Sequence, residues 1–190
     1  MTSNQNTANV TKLGYIGRQP TTKRNSDSWF TPEIYLNSVR TVLTEITLDP
    51  FSDSKANNTV RAIHFYDEEK NGLNQSWKVS NACRVFMNPP YSSGMVKKCC
   101  ARFIEGWHQK EFVEAIILVN NATETKWFQS LLNEAQAICF TDHRISFWNS
   151  DGKVVSNNTR GQVFFYFGSN AISFNEVFKN HGHCLVLKIE

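Results

Sequence analysis

The chain has 190 residues, 41% of them hydrophobic and 19% charged, with a formal net charge of +3. That is enough length for one sizeable core, and the balance is that of an ordinary globular chain rather than a disordered or low-complexity one. The mild positive charge admits a nucleic-acid partner without requiring one, and the longest apolar run, 115–119, is far too short to span a bilayer.

Residues 1–27 are rich in Asn, Thr, Ser and Gln, with Lys12, Arg18, Lys23 and Arg24 interspersed. They offer little to bury, so a polar, mobile tail is expected, followed by one domain over 28–190. No basic start followed by an apolar run is present, so no export signal is expected. Thr31-Pro32-Glu33 reads as a helix start, with Thr31 as N-cap, and Ile34, Val39, Val42 and Leu43 as the apolar face. A strand over 45–49 ends at Pro50. A short helix near 57–62 and a strand over 62–66 come next, then the turn signal Asn71-Gly72.

Residues 83–87 form a compact apolar strand that runs into Asn88-Pro89-Pro90-Tyr91. Two prolines cannot continue a central strand, so the chain leaves the sheet at that strand's carboxyl end. Val96, Cys99, Cys100, Phe103, Ile104 and Trp107 recur at the helical period. A buried strand over 112–119, an amphipathic helix over 124–137 and a strand over 137–141 complete the alternation. The remaining segments, 144–148, 162–167 and 184–189, read as strands separated by polar turns.

Strands alternating with helices imply an α/β fold with a mostly parallel sheet, helices on both faces and a β-hairpin near the C-terminus. Ligands of such sheets sit beyond the carboxyl ends of the strands, at a switch in strand order. Asp49-Pro50 and Asn88-Pro89-Pro90-Tyr91 both fall at such ends.

The second of these carries chemistry. Asn88 presents a neutral amide oxygen, Pro89 a carbonyl, and the prolines stiffen the loop. Two acceptors suit an amine with two hydrogens, such as N6 of adenine, whose lone pair is delocalised into the ring. Holding both hydrogens favours a more tetrahedral nitrogen, so alignment and electrostatics can replace a strong base. Tyr91 offers a flat face on which an extruded base can stack. The plain alternative is a Pro-Pro turn capped by Asn, with Tyr91 an anchored aromatic.

Trp29-x-Thr31-Pro32, Leu48-Asp49-Pro50, Asn71-Gly72-Leu73-x-x-x-Trp77, Asn88-Pro89-Pro90-Tyr91, Thr125-x-Trp127-Phe128 and Arg144-Ile145-x-Phe147 occur in that order. The series resembles the phage-type DNA N6-adenine methyltransferases, a Dam-related family. The resemblance implies a Rossmann-like methyltransferase fold, S-adenosylmethionine as cofactor and double-stranded DNA as partner. It implies that Asn88, Pro89, Pro90 and Tyr91 hold the target adenine. It places Asp49, Pro50 and Phe51 beside the cofactor, with Trp29, Thr31 and Pro32 bordering its methionine end. The same loop type serves enzymes that methylate RNA bases or glutamine side chains, and an inactive cofactor- or DNA-binding relative is a third reading.

Lys97, Lys98 and Arg102, on the polar side of the helix after the loop, could neutralise phosphates; a solvated helix face is the plain alternative. Lys153 and Arg160, between two strands, could enter a groove, or simply belong to a hairpin loop. The cysteines, odd in number and without a Cys-x-x-Cys pair, suggest neither disulfides nor zinc, and point to a reducing cytoplasm (the host's, if the gene is viral). The histidines show no metal-ligand spacing beyond His181-x-His183, so no metal is expected. Asp142-His143-Arg144 lacks a recognisable nucleophile and reads as structural.

Overall fold

The computed structural model describes residues 29–92, 94–149, 153–155 and 159–188, so the expected tail lies outside the described residues. Helix α1, Glu33–Leu43, buries Tyr35, Leu36, Val39, Val42 and Leu43, a stripe at the helical period. Ile34, expected on that stripe, is exposed, because it stands ~140° around the helix from Val39. Strand β1, Leu48–Asp49, leads into α2, Ser54–Val60, whose N-cap Asp53 accepts from the N–H groups of Lys55 and Ala56 at 2.7 and 2.9 Å. Strand β2 is His64–Phe65, β3 is Arg84–Met87, and α3, Met95–His108, buries Cys99, Cys100 and Phe103 on its inner face. Strand β4, Glu114–Asn120, α4, Lys126–Glu134, and β5, Ala137–Thr141, continue the alternation.

The end of the chain holds the expected strands and hairpin and adds a helix between the last two strands. Phe147–Trp148 (β6) and Val154–Val155 (β7) form a separate antiparallel hairpin. Gln162–Phe167 (β8) returns to the main sheet, and Ala171–Phe178 is a helix, α5, before the edge strand Gly182–Val186 (β9). The short, aromatic-rich α5 lacks a clear polar stripe in sequence. It is helical because Phe174 and Phe178, one turn apart, stack on each other at 4.3 Å and reach Tyr166 and Phe164 of β8.

The seven strands lie in the order β2-β1-β3-β4-β8-β5-β9. β2, β1, β3 and β4 pair in parallel, whereas β8 is antiparallel to both β4 and β5, and β9 to β5. β5 therefore runs with β1 to β4, and only β8 and β9 run against them. The expected mostly parallel sheet is mixed at one end, because β8 enters antiparallel between β4 and β5 and β9 joins antiparallel at the edge. Helices do cover both faces: α1 and α5 pack on Phe164 and Tyr166, while α3 and α4 pack on Phe165 and Phe167. That division reflects the two-residue alternation of β8, buried throughout. Among the described residues no helix is long and apolar enough to cross a membrane.

From β1 the chain steps outward to β2, then crosses back over β1 to β3 and β4. Strand order reverses between β1 and β3, and a crevice opens beyond their carboxyl ends. Asp49 ends β1 and Asn88 comes directly after β3.

Candidate active site

A cavity of about 480 Å³ occupies this crevice, a size suited to a small ligand. One wall comes from the ends of β1 and β2: Asp49, Phe51 and Asp53, then Tyr66, Asp67 and Glu68. The other comes from Trp29, Phe30 and Thr31 together with Phe86, Asn88 and Pro90.

The first wall is acidic. Asp49 is buried, with only the Phe51 N–H donating to its Oδ1 at 3.2 Å in the way of backbone support. Burial pushes its pKa up to about 7, against a weaker pull downward from that N–H. Four carboxyl groups line the cavity, and no described lysine or arginine does. The loop carrying Asp49 is braced from below by the Asn71-Gly72 turn. Gly72 lies so close that a Cβ there would come within 1.9 Å of the Pro50 carbonyl oxygen. Asn71 takes a left-handed φ of 52°, and its side chain accepts from the Leu73 N–H at 3.2 Å. The buried Trp77 indole donates to the Gly72 carbonyl at 2.9 Å. Asn71 and Gly72 themselves reach the cavity lining, and Leu73 and Trp77 support them from behind.

The second wall is built around a neutral amide. Asn88 Nδ2 donates to the Trp29 carbonyl at 3.1 Å and to Thr31 Oγ1 at 3.3 Å. Asn88 Oδ1 is buried and accepts no hydrogen bond from the described residues. An unpaired buried acceptor costs on the order of 1–3 kcal/mol, so it marks a place where a donor is awaited. Thr31, expected to cap α1, does not. The N-cap position falls on Pro32 without a side-chain cap, and the Thr31 hydroxyl is engaged with Asn88 instead.

The family model of the DNA N-6-adenine-methyltransferases (Dam) matches residues 18–180. The chain belongs to the Dam family. No curated protein matches it. The match spans both walls of the cavity and every strand from β1 to β8.

Among the residues that sequence assigns to this Dam-family site, Asn88, Pro90, Trp29, Thr31, Asp49 and Phe51 share one cavity. Pro50 and Pro89 are buried behind it, and Pro32 lines a separate shallow hollow with Trp148 and Asn149. Tyr91 does not line the cavity. Its hydroxyl is buried, pushed to a higher pKa by that burial, and donates to the Leu118 carbonyl of β4 at 3.3 Å. Asp67 and Glu68 join the cavity wall without having been expected from sequence. The signal that marks them is an acidic residue just after the second strand, about 20 residues beyond the first-strand acid.

The basic candidates separate. Lys97 and Lys98 are exposed on α3, and Lys153 and Arg160 are exposed around the β6–β7 hairpin. Arg102 is different: it donates to Glu111 Oε2 at 2.6 Å and to the Gln75 carbonyl at 2.9 Å, and lies over the Trp77 ring at 4.8 Å. Its guanidinium is held in a packed ion pair against the loop before β3, which steadies that loop. Asp142-His143 is structural in the same sense. His143 Nδ1 meets Asp142 Oδ1 and its Nε2 meets the Tyr35 hydroxyl, both at 2.5 Å, tying the segment after β5 to α1. Among the described residues no cluster of three metal-ligating side chains occurs.

Proposed function

We propose that the protein transfers a methyl group from S-adenosylmethionine to the N6 amine of adenine in double-stranded DNA, with the adenine rotated out of the duplex into the β1–β3 crevice. The observation that carries this reading is the buried Asn88 Oδ1, unpartnered among the described residues, on the cavity wall of a Dam-family chain. An amine hydrogen is the donor that oxygen awaits. The strand-order switch between β1 and β3 supports a Rossmann-like reading of the fold.

The two walls fit the two reactants. The cofactor supplies a methyl carbon on a cationic sulfur and also carries an ammonium group. Asp49, with Asp53, Asp67 and Glu68 around it, offers the negative charge such a ligand requires, and Trp29 and Phe51 offer aromatic faces. Asn88 Oδ1 and the Pro89 carbonyl accept the two hydrogens of the target amine. Holding both aligns the nitrogen and concentrates its lone pair, so the chain needs no strong base at that point. As the new carbon–nitrogen bond forms and the methyl–sulfur bond breaks to leave a neutral thioether, the amine proton becomes acidic and is released to water. Tyr91, outside the cavity lining and pinned through its hydroxyl to β4, stiffens the loop that carries Asn88. Lys97, Lys98, Lys153 and Arg160 stand outside the acidic cavity, where phosphates flanking the base would pass.

The deciding experiment supplies labelled S-adenosylmethionine and unmethylated DNA, with nucleoside analysis of the product. N6-methyladenine is expected, and Asn88→Ala is expected to lower kcat by on the order of 10²–10³-fold while melting as the wild type does. Label in RNA or in glutamine instead of DNA would reassign the substrate. Cofactor binding with no transfer to any amine would leave an inactive relative.

A further inference from the structure

An aspartate at position 88 would offer two equivalent oxygens, whereas an asparagine offers one oxygen and one nitrogen. Only one orientation of the Asn88 amide leaves an acceptor for the substrate. The opposite orientation would present the NH₂ group to the amine it must hold, donor against donor.

The Trp29 carbonyl chooses the orientation, and the Thr31 hydroxyl, able to donate or accept, reinforces that choice by accepting from the same nitrogen. The Trp29 carbonyl, 3.1 Å from Asn88 Nδ2, can only accept. Thr31 Oγ1, 3.3 Å from the same nitrogen, supplies a second acceptor from a buried side chain. Turning the amide over would set Oδ1 against a carbonyl oxygen. The Trp29–Thr31 segment is itself held in place. Phe30 exchanges backbone hydrogen bonds with Trp148 of β6 at 2.8 and 3.1 Å, and the Trp29 ring meets Phe147 edge-on at 6.2 Å.

We propose that Thr31 is a positioning residue which, with the Trp29 carbonyl, fixes the Asn88 amide so that Oδ1 faces the substrate amine, and that this wall therefore requires asparagine rather than aspartate at position 88. The proposal rests on the reading of Asn88 as the amine acceptor. It assigns Thr31 to that acceptor and not to the cofactor.

Three variants and one spectroscopic measurement test it. Thr31→Val removes the acceptor with little change in shape. It is expected to lower kcat about tenfold, the worth of one hydrogen bond, and to leave the cofactor Kd within about twofold. Thr31→Ser is expected to recover most of that loss. Asn88→Asp sets a carboxylate oxygen against the Trp29 carbonyl and is expected to lose on the order of 10²-fold in kcat at neutral pH. As pH falls, the protonated carboxyl donates to that carbonyl and leaves its own C=O toward the cavity. The kcat of Asn88→Asp relative to wild type, at saturating cofactor, therefore rises toward acid. The other titratable groups on the cavity wall are Asp49, Asp53, Tyr66, Asp67 and Glu68. They are common to both proteins, so the ratio removes their own titration and leaves the effect of the new carboxyl together with its repulsion of these neighbours.

Loss of cofactor affinity in Thr31→Val with kcat unchanged would overturn the assignment. So would an Asn88→Asp enzyme that matches wild type at neutral pH. Independently of catalysis, the side-chain NH₂ of Asn88, assigned by its absence in Asn88→Ala, is expected to exchange slowly with solvent in the free protein and faster in Thr31→Val. Rapid exchange in wild type overturns the proposal even if DNA is methylated. Slow exchange in a protein that methylates no DNA upholds the orientation and sinks the substrate reading instead.

Discussion

The two walls of the crevice solve the same problem in opposite ways. Each sits at the carboxyl end of a parallel strand and each buries a polar side chain there. On the β1 wall the buried group is a carboxyl, Asp49, driven toward neutrality by its surroundings. The helix after it is capped conventionally by Asp53. On the β3 wall the buried group is a neutral amide, Asn88, and the nearby helix α1 begins without a side-chain cap because Thr31 serves the amide. On the proposed function, the charged wall would suit a ligand that brings its own positive charge, and the neutral wall a neutral amine. A buried carboxylate must be compensated or neutralised, whereas a buried amide can keep one acceptor free at a smaller cost.

The largest expected effect tests the charged wall. The folded pKa of Asp49 is about 7, above its ordinary value of 3.8. The acid form is therefore favoured on folding, and this stabilisation is complete below pH ~4 and lost as pH rises through 7. The slope amounts to up to about 4 kcal/mol across that window. Denaturant unfolding of wild type at pH 4.5 and pH 8 should show the decline, and Asp49→Asn should remove it. A cationic ligand favours the ionised form, so S-adenosylmethionine affinity is expected to rise with pH up to about 7 and then flatten. An affinity independent of pH between 5 and 8 would separate Asp49 from the cofactor.

A smaller effect tests the support beneath that wall. Gly72→Ala drives a Cβ to within 1.9 Å of the Pro50 carbonyl oxygen, so the turn or the Asp49 loop must shift. Overpacking of this kind costs about 1–3 kcal/mol, and thermal melting should register it together with weaker cofactor binding. A fully stable Gly72→Ala that binds cofactor normally would show that the loop tolerates displacement. The smallest effect compares the two helix starts. Asp53→Ala removes two capping bonds and is expected to cost about 1 kcal/mol, read as a lower midpoint in urea.

The site is more legible in the sequence than its surroundings are. Asn88-Pro89-Pro90-Tyr91 stands out because two prolines after an apolar run must mark a strand end. Asp49-Pro50 stands out for the same reason. The helical period puts Cys99, Cys100 and Phe103 on a buried face, where they are. The partners of Arg102 are not legible because periodicity reports which side of a helix is polar, not that Glu111 and Trp77 take up one guanidinium on it. Thr31 departs from its expected role because a local capping rule cannot anticipate a partner 57 positions away.

By itself, the chain determined the features that local chemistry sets: the alternation of strands and helices, the rigid acceptor loop, and an acidic residue at the first strand's end. Only the tertiary structure decided the insertion of β8 between β4 and β5, the ring stacking that makes α5 a helix, and the orientation of the Asn88 amide. Each of these depends on contacts between segments far apart in sequence. Their energies come from burial and hydrogen bonds that exist only once the sheet has assembled.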